Sequence, residues 1–138
     1  MVPSIKYSNG ILKDEIIIES AIVAQFLADS RPSHLLPPSF KDPYSPLFRA
    51  RVSLFADTFI SKVNSHMYPL LKAEGEEEQT KIAQEMQKAI ETHVEPLLKD
   101  AKPFFGGSSE FTMAEVHVLS LLSRRSVLTR PRYSPLRL

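Results

Sequence analysis

The chain of 138 residues contains no cysteine. A disulfide framework, a zinc site built from thiolates and a cysteine nucleophile are therefore excluded within these residues. No apolar run approaches the roughly 20 residues that a membrane-spanning helix requires, and the sequence after Met1 is strand-like and lacks the features of a signal peptide. The composition, with 43% hydrophobic and 24% charged residues, is typical of a globular protein of about one domain. A cytoplasmic location is the default expectation.

Basic residues are concentrated in one short segment. Five Arg and no acidic residue lie in 124–138, so the overall net charge of +1 leaves −4 on the residues before them. Because this body is mildly acidic, a nucleic-acid partner is not expected. Residues 123–138 show no helical period and include two Pro, which predicts a disordered basic tail.

The histidines are scattered along the chain. They belong to four different segments, and none has another His three or four positions away. A metal site needs three or four converging ligands, so no metal site is expected. The four residues are His34, His66, His93 and His117.

The chain begins with a hairpin pattern. VPSIKY and ILKDEII read as strands on either side of SNG. Asn9-Gly10 is a strong signal for a two-residue type I′ turn, because both residues accept a positive φ. We therefore expect β-strands on both sides of this turn, with Ile5 and Tyr7 on one face and Ile11 on the partner strand.

A helix and a proline-rich linker follow the hairpin. ESAIVAQFLADS has helical spacing, with Ile22, Phe26 and Leu27 as its apolar stripe. The next segment, RPSHLLPPSFKDPYSP, contains five prolines, which exclude a regular helix or a central strand. A linker that crosses the surface is therefore predicted over 31–43.

Beyond the linker the pattern is helical. From Ser45 the apolar residues follow steps of i, i+4 and i+7, which predicts a long amphipathic helix that Pro69 bends or ends. The acidic segment AEGEEEQ suits the N-terminus of the next helix, whose last turns Pro96 is expected to kink. The Phe residues of the long helix that begins at Ser45 predict a core or a dimer interface. The wall of a substrate pocket is the open alternative. They are Phe48, Phe55 and Phe59.

Thr112 and Glu115 have the spacing of a capping box ahead of an apolar run. In this arrangement the Thr hydroxyl accepts the amide hydrogen at N3, and the Glu carboxylate accepts the amide hydrogen of the N-cap residue. The run predicts a helix deep in a bundle. Its buried stripe is expected to contain Val116, Val118, Leu119 and Leu122.

The order of these elements and the residues at their joints resemble the glutathione transferase family. Val2-Pro3 resembles the strand start at which the family has a cis-proline, and ESAIVAQFLAD resembles the family's ESxAIxxYL. FFGGSSEFTMAEV resembles the segment before the family's buried helix, with Glu115 where Asp is usual. LLPP, DPY and RARV resemble the omega-like or fungal subgroups. Together the matches span residues 2–122.

The resemblance implies an α+β fold. Residues 1–30 would form the C-terminal half of a thioredoxin-like domain, a β-hairpin plus a helix, and the linker would lead to an incomplete all-α C-terminal bundle over 44–122. It also implies that a strand–helix–strand unit with the catalytic residue lies upstream of Met1, so no catalytic residue is assigned. We expect a chain that is truncated at both ends and exposes an apolar edge of its hairpin.

Glutathione is the ligand that the resemblance implies. The backbone of Val2, next to Pro3, would pair with it as a strand does. The helix N-terminus would hold its γ-glutamyl carboxylate, with Ser20 Oγ adding a hydrogen bond and Glu19 facing the ammonium group. The open alternatives are a plain N-cap role for Ser20 and a strand-edge role for Pro3.

The implied activity is conjugation of glutathione to electrophiles, or glutathione-dependent thiol transfer, by the full-length protein. Glutathione would be a co-substrate, and no bound cofactor is expected. The expected partners are glutathione, an electrophilic small molecule and a second copy in a homodimer, but neither nucleic acid nor a membrane. A non-catalytic protein-interaction module of the same fold and an inactive gene fragment are the alternatives.

Overall fold

A computed structural model describes residues 3–31 and 33–119. It contains β1 (Ser4–Tyr7), β2 (Glu15–Ile18), α1 (Ser20–Ser30), α2 (Ser45–Thr58), α3 (Met67–Lys72), α4 (Glu76–Ala89) and α5, described over 113–119. The two strands form an antiparallel sheet and helices follow it, which confirms the predicted α+β class. The predicted tail, 123–138, lies outside the described residues.

The hairpin pairs its strands in a single register. Ser4 lies opposite Ile18 and Tyr7 lies opposite Glu15. As predicted, Ile5 and Tyr7 share one face, which α1 covers. The rings of Tyr7 and Phe26 meet edge to face with their centroids 4.9 Å apart, an arrangement that aromatic pairs favour.

The turn of the hairpin differs from the prediction. The loop runs over residues 8–14, and neither Asn9 nor Gly10 has a positive φ. Instead, the Asn9 side-chain oxygen accepts hydrogen bonds from the amides of Ile11 (2.8 Å) and Leu12 (2.6 Å). The predicted type I′ turn is wrong because this side chain closes a local Asx-type turn, so Ile11 lies in the loop and not in a strand.

The apolar stripe predicted for α1 is only partly right. Ile22 and Leu27 are exposed, while Phe26 packs on the hairpin. The small side chains of Ala24 and Ala28 pack against the helical core instead. α1 lies between a sheet and a bundle, so a single helical stripe does not describe which of its sides are covered.

The stripe predicted beyond the linker forms the hydrophobic core. Phe55 and Phe105 lie near its centre, with ring centroids 5.0 Å apart. From α2 and the residues directly after it, the core contains Phe48, Val52, Phe55, Phe59 and Val63, and they are joined by Leu36, Met86 and Val94. The prediction that Phe48, Phe55 and Phe59 are core residues is confirmed.

The helical segments that lead to Pro69 and to Pro96 are both irregular near the proline. A π-helical segment, Phe59–Val63, and a 3-10 turn, Asn64–His66, precede α3, which contains Pro69. Likewise, α4 continues as a π-helical segment, Ile90–Val94, and then a 3-10 turn at Pro96. Because proline lacks an amide hydrogen and crowds the carbonyl four residues earlier, the irregularity lies N-terminal to Pro69. The expected irregularity near Pro96 is therefore present as a change of helix type, while the kink itself stays a prediction.

The buried face of α5 differs from the predicted one. Ala114 and Val118, one helical turn apart, are buried, whereas Val116 and Leu119 are exposed. The prediction is right for Val118 and wrong for Val116 and Leu119, since the helix turns its Ala114 side to the core. Leu122 lies outside the described residues.

Candidate functional site

The hairpin register brings the predicted glutathione-binding segments to one end of the sheet. Ser4 pairs with Ile18, so Pro3 and Glu19 follow at the same end, and Ser20 is the first residue of α1. Pro3, Glu19 and Ser20 are all exposed. The remaining predicted residue, Val2, lies outside the described residues, as does the peptide bond that the resemblance expects to be cis.

Glu19 has an unusual backbone conformation. Its φ of 71° and ψ of 121° lie in a region that few residues other than Gly adopt. It is the only residue between β2 and α1, so it alone turns the chain from strand to helix. Such a conformation costs about 1–3 kcal/mol and is found most often at binding sites. The sequence reasoning selected Glu19 for its carboxylate, and no sequence signal indicated its backbone.

The N-terminus of α1 carries amide donors that have no acceptor in the part of the chain that the structure describes. Its first intrahelical bond runs from the Val23 amide to the Glu19 carbonyl (2.8 Å), so the amides of Ser20, Ala21 and Ile22 have no acceptor within the helix. Among residues 3–31 and 33–119, no side chain caps this end, and its first turn has no acidic residue. The plain N-cap role for Ser20 is therefore wrong. An uncapped helix N-terminus favours an anionic group such as a carboxylate.

Arg49 of α2 fixes the opposite end of α1. Its guanidinium donates to one oxygen of Asp29 (2.6 Å) and to the carbonyl of Pro37 (3.0 Å). Gln25 donates to the other Asp29 oxygen (2.9 Å). The hydrogen bonds from Gln25 and then Arg49 hold the pKa of Asp29 below its ordinary value. α1 is thus tied to the bundle at its C-terminal end, while its N-terminal end faces solvent.

Thr112 and Glu115 form the predicted capping box, with one difference. Glu115 accepts hydrogen bonds from the Thr112 amide (2.8 Å) and hydroxyl (2.6 Å), and its other oxygen accepts one from the Phe105 amide (2.8 Å). The Thr112 hydroxyl oxygen accepts the amide hydrogen of Ala114 (3.2 Å), which is N2 and not the expected N3. These contacts are internal to the fold and give the pair a structural role.

Two cavities border the linker. One of about 330 Å³ lies between the linker, the start of α2 and the loop before α5. The other, of about 360 Å³, lies beside Phe40 and the Arg49–Asp29 pair. Neither is lined by Pro3, Glu19 or Ser20. These two cavities are therefore separate from the exposed residues at the start of α1.

The histidines do not converge. Within residues 3–31 and 33–119, no group of three or more His, Asp or Glu side chains is placed to hold a metal ion. His117 is half-buried, and this burial lowers its pKa. Over the same ranges, no helix has the length and hydrophobicity that crossing a membrane requires.

Comparison with known proteins identifies the fold. No protein-family model and no curated protein matches the chain. Solved structures do match it. Glutathione transferase Omega 3C from Trametes versicolor superposes with a TM-score of 0.71 and 23% identity, over 97% of this chain and 52% of that one. The fold is that of the glutathione transferases.

A second glutathione transferase agrees with the first. Rice GST1 (OsGSTU1), solved in complex with glutathione, superposes with a TM-score of 0.67 and 28% identity, over 78% of this chain and 49% of that one. The expected resemblance to glutathione transferases is thereby confirmed at the level of the fold. The chain spans about half the length of both glutathione transferases, and the matched half comprises the helical domain and part of the thioredoxin-like domain.

Proposed function

We propose that the chain provides part of the glutathione site of a glutathione transferase-like protein. The observation that carries this proposal is the uncapped N-terminus of α1, where amide donors beside a strained Glu19 have no acceptor among the described residues. A carboxylate at this end would accept hydrogen bonds from those amides and interact favourably with the helix dipole. The glutathione bound to rice GST1 supports the choice of ligand.

Each residue of the site has a separate proposed role. The amides of Ser20 and Ala21 bind the γ-glutamyl carboxylate, and Ser20 Oγ donates a further hydrogen bond to it. The Glu19 carboxylate faces the γ-glutamyl ammonium group. The backbone of Val2, next to Pro3, pairs with the tripeptide as one strand pairs with another. These roles require the extended ligand to lie across the end of the hairpin at which Pro3 and Glu19 lie.

The proposed reaction belongs to the longer protein. Bound glutathione would be used as its thiolate, either to attack an electrophile or to exchange with a mixed disulfide. The residue that lowers the thiol pKa is not assigned among residues 1–138. The role of this chain would be to bind and orient the γ-glutamyl end of glutathione, which places the thiol at a fixed position.

Binding to immobilised glutathione tests the proposal. We expect the chain to be retained and to elute with free glutathione, whereas cysteinylglycine, which lacks the γ-glutamyl group, does not elute it. Glu19→Gln should weaken retention because the pair with the ammonium group is lost. Ser53→Ala, at an exposed position on α2, is the control and should change nothing. A folded chain that does not bind glutathione would contradict the proposal and favour the non-catalytic interaction module.

A further inference from the structure

The loop of the hairpin folds the Asn9 side chain over the backbone that follows it. Asn9 Oδ1 accepts hydrogen bonds from the amides of Ile11 (2.8 Å) and Leu12 (2.6 Å). The ring that the Ile11 bond closes contains both Asn9 Cγ and the Gly10 nitrogen. If that nitrogen attacks Cγ, the atoms between them close a succinimide ring. The loop thus holds an amide electrophile and a backbone nucleophile in one compact turn, and such proximity accelerates acyl transfer.

The same hydrogen bonds stabilise the charge that this attack develops. When the Gly10 nitrogen adds to Cγ, Asn9 Oδ1 becomes an oxyanion, and the Ile11 and Leu12 amides already donate to this atom. Preorganised amide donors at a developing oxyanion are usually the largest single contribution to catalysis of acyl transfer. The loop is held in this shape by a bond from the Asn9 amide to the Leu12 carbonyl (2.9 Å).

The hydroxyl of Tyr7 lies at the leaving group. Asn9 Nδ2 and Tyr7 Oη are 3.2 Å apart, which is within reach for proton transfer. Nδ2 must gain a proton to leave as ammonia, and a tyrosine hydroxyl donates a hydrogen bond as well as accepting one. The Tyr7 ring is positioned by its edge-to-face contact with Phe26. The oxyanion and the leaving group therefore both have a partner within the hairpin.

We propose that the hairpin loop accelerates the deamidation of its own Asn9. A bond forms between the Gly10 nitrogen and Asn9 Cγ, and the Gly10 amide proton passes to water. The bond from Cγ to Nδ2 then breaks, Tyr7 donates the proton with which Nδ2 leaves as ammonia, and Tyr7 recovers a proton from water. A second water opens the succinimide to aspartate or isoaspartate at position 9.

The modification changes the loop and is independent of glutathione. Both products carry a new negative charge, and isoaspartate also adds a carbon to the backbone, so it should release the contacts that Asn9 makes. Tyr7 pairs with Glu15 at the loop end of the sheet, whereas Ser4 pairs with Ile18 at the other end. The loop is therefore remote from Glu19, and failure of the proposed glutathione site would leave this inference standing.

Peptide mass analysis of the full chain tests the proposal. The chain is incubated near neutral pH, either folded or unfolded in guanidinium chloride, and trypsin then releases residues 7–13. Deamidation adds about 1 Da, and an isoaspartyl methyltransferase labels the isoaspartate product. We expect Asn9 to deamidate about tenfold faster in the folded chain, because unfolding removes the oxyanion donors. An equal or slower rate in the folded chain would overturn the proposal.

Asn64, the other asparagine of the chain, is the internal control. It lies in the 3-10 turn Asn64–His66 and is followed by Ser65, whose side chain crowds the attacking nitrogen. We expect Asn64 to stay intact in the folded chain over the time in which Asn9 reacts. Equal rates at Asn9 and Asn64 in the folded chain would contradict a special role for the hairpin loop and overturn the proposal.

Substitutions separate the proton donor from the nucleophile. Tyr7→Phe keeps the ring that packs on Phe26, so the folded chain should react about fivefold more slowly or less, with no change in the unfolded chain. Tyr68→Phe, on α3 at 66% exposure, is the matched control and should change neither rate. Gly10→Ala should slow both states, although a Cβ at Gly10 meets nothing within 4 Å. Equal folded rates for the two Tyr variants, or a rate that Gly10→Ala does not change, would overturn the proposal.

Discussion

The helices α1 and α5 begin in opposite ways. At the start of α5, the Glu115 carboxylate accepts hydrogen bonds from the Thr112 amide and hydroxyl and from the Phe105 amide, and the Thr112 hydroxyl accepts one from Ala114. At the start of α1, no side chain within the described residues caps the helix, and Glu19 has a positive φ. One helix N-terminus uses its polar groups inside the fold, and the other leaves its donors facing solvent.

The difference separates stability from binding. A capped N-terminus stabilises a helix because its first amides are satisfied in the folded chain. An uncapped N-terminus gives up this stabilisation, but its amides stay available to an anionic ligand. A strained residue at the second kind of site fits the general observation that backbone strain is found at binding sites. Substitutions at the start of α5 should therefore lower stability and leave ligand binding unchanged. Substitutions at the start of α1 should weaken ligand binding without lowering stability.

The largest effect on the free energy of unfolding is expected at the capped N-terminus of α5. Glu115→Ala removes the acceptor of three hydrogen bonds and leaves partly buried donors unsatisfied, so the free energy of unfolding should fall by about 2–4 kcal/mol. Urea denaturation followed by circular dichroism measures this. Glu85→Ala, at an exposed position on α4, should change stability by less than about 0.5 kcal/mol.

A shorter side chain divides the role of Glu115. Glu115→Asp should keep one bond to Thr112 and lose the bond to the Phe105 amide, so its loss of stability should be about half that of the alanine variant. Equal stability of Glu115→Ala and Glu85→Ala would show that the capping contacts do not stabilise α5. In either case, retention on glutathione should not change, because the capping box lies in a different part of the fold.

The next largest effect is an increase in the free energy of unfolding. Glu19→Gly places at φ 71° the residue that adopts this conformation without steric cost, so the chain should become more stable by about 1 kcal/mol. Retention on glutathione should weaken, because the proposed partner of the ammonium group is lost. Parallel urea and retention measurements check both. A variant that loses stability would mean that the Glu19 side chain makes contacts that outweigh its strain.

The helical half of the fold was more predictable than the first 30 residues. The stripe from Phe48 to Val63 has one covering neighbour, the core, so amphipathic spacing was sufficient to find it. The side of α1 that is covered depends on both a sheet and a bundle, which the local pattern does not contain. The turn was missed because the Asn9 side chain competes with the backbone for its hydrogen bonds.

The sequence motif selected the residues of the candidate site but not their backbone conformation, and their role in binding stays a prediction. The residues Glu19 and Ser20 were selected from a sequence motif, and the structure places them with Pro3 at one end of the hairpin. The positive φ of Glu19 arises because a single residue connects β2 to α1. A connection of this length depends on where both elements end, and element boundaries are the least reliable part of a sequence prediction.

A third helix start gives a pH-dependent test. Asp42 accepts hydrogen bonds from the Ser45 hydroxyl and from the Tyr44 and Ser45 amides. These bonds, the one from the Ser45 hydroxyl first, lower the pKa of Asp42 from 3.8. The stability they add is therefore present above pH 3.8 and is lost as the pH falls through the lower folded value.

Comparison with Asp42→Asn isolates this contribution. The variant should unfold more easily than the unsubstituted chain at neutral pH, by less than Glu115→Ala does, because Asp42 is exposed. The stabilities of the variant and of the unsubstituted chain should converge well below pH 3.8, where Asp42 is protonated. Thermal unfolding at both pH values measures the difference. A difference that persists unchanged at low pH would mean that the charge of Asp42 does not cap α2.

The smallest effect on stability is expected at Ser20. Its hydroxyl does not cap α1, so Ser20→Ala should leave the free energy of unfolding within about 0.5 kcal/mol of its original value. In contrast, loss of one hydrogen bond to the γ-glutamyl carboxylate should weaken glutathione binding by about fivefold. Ser53→Ala on α2 should change neither quantity. If Ser20→Ala lowers stability and leaves binding intact, the open start of α1 has the same structural role as the capped start of α5.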